Sequence, residues 1–115
     1  SGAAGTLGEE VAALGLGFPR SLEAVRVVRD VCRGSESARV EVAKLGGIKV
    51  IVSELVKGGN AFRGPAAEAI EVICHKQPSN KKLLAETGGI KLLISLLAAQ
   101  VVSPVITPFF LDMAA

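Results

Sequence analysis

The sequence has no tryptophan and no tyrosine, a single histidine, a single methionine and four phenylalanines in 115 residues. Proteins that hold single-stranded nucleic acid stack its bases on aromatic platforms, and a chain with 3% aromatics has few to offer. Charge argues the same way. Thirteen Lys and Arg against eleven Asp and Glu leave a net +2, and the cations are scattered rather than gathered into a block, so no nucleic-acid partner is expected. The two cysteines, Cys32 and Cys74, sit inside apolar stretches with no His in ligand spacing, and they read as buried free thiols in a cytosolic or nuclear setting. Long hydrophobic runs are missing as well. Half of the residues are apolar and the mean hydropathy is +0.48, yet no uninterrupted apolar stretch approaches the roughly 20 residues that would span a bilayer. Ser1 to Gly8 lack the basic start and apolar middle of a secretory signal. The length suits a single domain, residues 1–115, with one modest core.

What the sequence does have is a repeat. Ser37 to Val56 reads SARVEVAKLGGIKVIVSELV and Ser79 to Ala98 reads SNKKLLAETGGIKLLISLLA, an offset of 42 residues with eight of twenty positions identical, where chance gives about one or two. The same offset lays Leu22 to Arg33 on Gly64 to His75 and brings Cys32 onto Cys74. A period of about 40 to 47 residues built only of helical segments is the length of HEAT and armadillo units.

Within one period the pattern predicts three helices. Arg39 to Leu45 forms a short first helix behind Ser35 or Ser37 as N-cap, and Gly46 supplies the left-handed position that ends it. Ile48, Ile51, Val52, Leu55 and Val56 recur at helical spacing as the apolar stripe of a second helix, which Gly58-Gly59 breaks. Asn60 falls in the connecting loop. Pro65 suits the first turn of a third helix whose Ala66, Ala67, Ala69, Ile70, Ile73 and Cys74 pack inward while Glu68 and Glu71 do not. Leu7, Val11 and Leu14 look like the remains of an earlier second helix. The chain thus divides into a partial repeat at 7–34, a complete one at 35–78 and a third at 79–115 with an atypical, truncated third helix, as expected of a piece of a longer array or of an array with unusual ends.

Gly46-Gly47-Ile48 followed by Leu55, then Ala66-Ala67, then Pro78-Ser79-Asn80, then Gly88-Gly89-Ile90 with Leu96-Leu97, closely resembles the armadillo repeat family. HEAT units are the alternative; they usually lack the short first helix with its Gly-Gly exit. The resemblance implies an all-α, right-handed solenoid of three-helix units whose third helices stack to line a groove for an extended peptide. Residues at equal repeat positions would then lie side by side: Arg26 by Glu68, Arg29 by Glu71, Asp30 by Val72 and Arg33 by His75. Family members that clamp basic peptides carry Trp and, four residues on, Asn in this groove. Here Arg26 and Glu68 take the first place and Asp30 and Val72 the second, so that mode of binding is not expected.

No catalytic chemistry stands out. No phosphate-loop signature is present, and the Gly-Gly pairs follow helices rather than strands, which makes them turns. His75 adjoins Cys74 on one helix, so their side chains diverge. No metal site, cofactor or enzymatic activity is expected, and the role is binding of a protein or peptide. The alternative is assembly, in which apolar ends stack on other repeats or copies. For that role Phe109, Phe110, Leu111 and Met113 are the candidate self-association residues, since capping units normally carry polar outer faces. The backbone expectation is checked by far-ultraviolet circular dichroism, which should show helix alone; a substantial strand signal would end this reading.

Overall fold

A computed structural model describes residues 3–99 and the single position Pro108, with side chains from Leu7 onward. Among these residues there are seven helices and no strand: α1 Ala3–Ala13, α2 Arg20–Arg33, α3 Glu36–Lys44, α4 Gly47–Lys57, α5 Asn60–Cys74, α6 Pro78–Glu86 and α7 Gly89–Ala98. Ile106, Phe109, Phe110, Leu111 and Met113 lie outside the described residues.

The helices repeat with the sequence. Shifting α3 by 42 residues gives α6, and shifting α4 gives α7 to within a residue. The Gly-Gly pair explains why this boundary is so sharp. Gly46 and Gly88 have φ of 83° and 78°, a left-handed conformation that side-chain-bearing residues avoid. Gly47 and Gly89 are needed for room: a Cβ there would stand 2.5 Å from Val42 Cγ1 and 2.5 Å from Leu84 Cδ1 respectively. The first glycine turns the chain and the second lets the new helix press against the one just finished. Ser35 is the N-cap of α3, its hydroxyl accepting from the Ala38 backbone N–H at 3.1 Å.

The core is centred on α5, which packs on α2, α3, α4 and α6, most extensively on α2. Ala24, Val25, Val28 and Cys32 of α2 meet it, and the inward face of α5 matches the predicted set from Ala66 to Cys74, all of it fully buried. Both cysteines are free and buried. Burial pushes the Cys32 thiol up to about 11 and the Cys74 thiol up to about 12, with Arg39 and Lys81 offsetting this only in part, so neither is a thiolate near neutral pH.

Two sequence expectations change. First, α5 starts at Asn60, so Asn60 is helical and Pro65 is the sixth helical residue. Gly58 and Gly59 are both extended and reverse the chain in two residues, which brings Phe62 into the core at 2% exposure. Second, Val56 is 63% exposed; at 100° per residue it lies about 80° round α4 from Ile48, beyond the arc that Ile48, Ile51, Val52 and Leu55 bury. The apolar stripe of the N-terminal helix is covered. Leu14 and Val11 are buried and Leu7 packs partly buried against the core, beneath α2 and α3.

A bidentate ion pair fastens α1 to α2: Arg20 Nη1 and Nη2 donate to Glu10 Oε1 and Oε2 at 2.8 and 3.0 Å. These hydrogen bonds hold the Glu10 carboxyl below its ordinary range, against the opposing effect of desolvation. A carboxylate depressed in the folded state stabilises the fold above its unfolded pKa and loses that contribution as pH falls through the folded pKa. Glu10→Gln is therefore expected to lower stability at pH 7 and to flatten the loss between pH 5 and pH 3, measured by urea unfolding. The same assay should find Phe62→Ala costing about 3–5 kcal/mol and Val56→Ala under about 0.5 kcal/mol.

Candidate functional site

Helices α2 and α5 lie side by side, and the residues they do not bury form the candidate site. Arg26, Asp30, Arg33 and His75 are exposed, while Arg29, Glu68, Glu71 and Val72 are half-buried. Four of these eight come together. Arg33 of α2 and Glu71, Val72 and His75 at the end of α5 line a cleft of about 340 Å³, with Arg39 of α3 as the fifth wall.

The charged pairs form one turn out of the expected register. Arg29 Nη1 donates to Glu68 Oε1 at 3.3 Å and Arg29 Nε to Asp30 Oδ1 at 3.0 Å. Arg33 Nη1 is 3.8 Å from the same Asp30 oxygen. No ion pair joins Arg26 to Glu68 or Arg29 to Glu71 among the described residues. Side chains on a helix lean toward its N-terminus, so a long arginine reaches a partner about one turn before its own level. Arg29 therefore meets the glutamate that equal repeat position assigns to Arg26. With Glu68 nearly half exposed, such a pair contributes about 0–1 kcal/mol and mainly fixes register.

Two residues outside the predicted set hold the helices together around the cleft: Arg39, which lines it, and Asn80, which does not. Arg39 Nε donates to the Cys32 carbonyl at 2.8 Å, its Nη2 to the Arg33 carbonyl at 3.3 Å and its Nη1 to the His75 carbonyl at 3.4 Å. Carbonyls at helix C-termini have no partner within the helix, and a guanidinium satisfies several at once while placing positive charge at the negative ends of two helix dipoles. Asn80, buried at 4% exposure, donates through Nδ2 to the Ile73 carbonyl at 2.9 Å and to the Arg39 carbonyl at 3.1 Å. The start of α6 is thereby tied to the end of α5 and to α3. Between them, Lys76 adopts a left-handed φ of 54°, carrying the chain from the cleft into α6.

The sequence did hold a signal for Arg39. It occupies the fourth position of α3, and the 42-residue offset puts Lys81 at the fourth position of α6. A cation early in a helix opposes the helix dipole, so two at the same repeat position point to tertiary partners outside their own helices. Asn80 gave no such warning, because its repeat counterpart is Ala38.

The cleft offers hydrogen-bond donors from Arg33 and His75, an acceptor from Glu71 and an apolar wall from Val72. Cys74 is buried and His75 exposed, which separates the one thiol and imidazole adjacent in sequence. Among the described residues no group of three or more His, Cys, Asp or Glu side chains is placed to hold a metal ion. No helix of the described residues is long and apolar enough to cross a membrane. Comparison with protein-family models, curated proteins and solved structures returns no match.

Arg39→Met is expected to cost about 1–3 kcal/mol by removing a charged donor from three carbonyls, of which that of Cys32 keeps backbone donors from Gly34 and Ser35, whereas Arg26→Ala should change stability by less than about 0.5 kcal/mol. Chemical denaturation of both variants checks the contrast, and equal effects would show that the packing around the cleft does not depend on Arg39.

Proposed function

We propose that the chain is a protein-binding module of armadillo-type three-helix units, and that it takes an extended peptide along the outward face of α2 and α5. The observation that carries this reading is the cleft itself. Arg33 and His75, one repeat apart, flank it together with Glu71, so donors and an acceptor stand around an apolar wall where two equivalent helices end side by side. An extended peptide presents backbone N–H and C=O groups in alternation, with side chains to either side. That pattern suits a cleft with both kinds of partner better than a compact ligand of one charge would.

The repeat supports the same reading. Helical units stacked at a fixed period make extended surfaces, and here the period is kept from helix to helix, with the Gly-Gly turn in both copies. Arg29 pairs with Glu68 midway along the face and Arg33 with Asp30, leaving Arg26 on α2 and Glu71 on α5 without an ion pair among the described residues. A ligand is thus steered by a basic edge on one side and an acidic one on the other. The two buried, unpaired thiols fit a reducing compartment, cytosolic or nuclear.

The test is selection of binding peptides from a random display library on the full chain, followed by backbone chemical-shift mapping of the strongest binder. Shifts should concentrate at Arg33, Glu71, Val72 and His75, and Arg33→Ala and Glu71→Ala should each weaken binding about three- to tenfold. A binder whose shifts avoid both α2 and α5 would overturn the assignment.

A further inference from the structure

A second surface follows α6. Leu83 and Glu86, one turn apart, stand between two hollows and line both. The hollow toward α3, about 520 Å³, is bounded by Val40, Lys44 and Lys82. The hollow toward α4, about 560 Å³, is bounded by Lys49 and Val56. Each is larger than the α2–α5 cleft of about 340 Å³. Their apolar parts are open to solvent: Val56 is 63% and Val40 37% exposed, with Leu83 half-buried between them.

The charges around these hollows are one-sided. Lys44, Lys49 and Lys82 are all exposed, and none enters an ion pair among the described residues, whereas Lys57 on the same helix as Lys49 is paired with Glu54 at 3.3 Å. Glu86 is the one carboxylate in the lining; Glu36 is adjacent, accepting from Gln77 Nε2 at 3.3 Å. Three ammonium groups with no ion pair among the described residues, set around two apolar hollows, call for a ligand that is both anionic and aliphatic. Nucleic acid would use the lysines but not the hollows, and the lining contains no aromatic side chain on which a base could stack.

We infer that this surface docks an acidic amphipathic helix of a partner protein, with an aliphatic side chain in each hollow beside Leu83 and carboxylates on Lys44, Lys49 and Lys82. Apolar anchors in pockets supply affinity, and the surrounding charges supply rate and specificity. The site is separate in residues and in ligand class from the α2–α5 face.

The experiment titrates isotope-labelled full chain with a synthetic helical peptide of Leu, Ala and Glu, its leucines at i, i+3 and i+7. Controls are the same peptide with Lys in place of Glu, the same peptide with Ser in place of Leu, and vesicles containing anionic lipid. The acidic peptide should shift Val40, Lys44, Val56 and Leu83, and its affinity should fall as salt is raised. The triple variant Lys44→Glu, Lys49→Glu, Lys82→Glu should bind it at least about tenfold more weakly and should acquire binding of the Lys peptide. These three side chains are exposed, so an unchanged circular dichroism spectrum will certify the fold. Arg33→Glu, in the other cleft, should leave the affinity unchanged. The inference is overturned if the triple variant binds as well as the parent, if the Ser peptide binds equally, if Arg33→Glu abolishes binding, if only the vesicles bind, or if no peptide binds at millimolar concentration.

Discussion

The close packing of α2 on α5 is the contact on which the other arrangements depend. Small side chains contribute to it alongside Val25, Val28, Ile70 and Ile73. Ala24 on one helix and Ala66, Ala67 and Ala69 on the other are all fully buried, and alanines at a helix–helix contact let the axes approach to the near end of the usual 8–10 Å range. Side-by-side packing of the two helices lets Arg29 reach Glu68 from the neighbouring helix and lets one guanidinium, Arg39, serve the C-terminal carbonyls of both. Larger residues at the alanine positions would separate the helices and open the candidate cleft at its floor, even though none of them lines it.

The helical order of the chain could be read from its sequence because two different requirements fall on adjacent residues. A left-handed turn demands one glycine, close approach to Val42 or Leu84 demands the next, and both recur 42 residues later. Apolar spacing then assigned the buried faces of α4 and α5 nearly residue for residue. Its errors came at the edges of patterns. Val56 matched the stripe by count but lies outside the buried arc, and Pro65 suggested a helix start that the two extended glycines had already supplied five residues earlier.

The candidate site was less readable. Repeat arithmetic placed Arg33 and His75 together, and the cleft contains both. It failed for the ion pairs because equality of position fixes Cα atoms, while a salt bridge is made by the far end of a side chain leaning about one turn toward the N-terminus. Arg39 and Asn80 act over distances of 36 and 41 residues along the chain on backbone carbonyls. Backbone acceptors leave no mark in the amino-acid sequence, so such partners emerge only once the helices are in place.

Both amide hydrogens of Asn80 are committed to carbonyl oxygens of other helices. Asparagine is also the side chain most prone to hydrolysis in water, and its product, a carboxylate, can donate nothing and would face two carbonyl oxygens. In the folded chain the group is buried and held in the first turn of α6, where the backbone nitrogen of the next residue cannot easily attack it. Protection from this damage therefore belongs to the fold and is forfeited on opening. Loss of that one amide nitrogen would release both carbonyls together, so the seam between successive units rests on a single side-chain group.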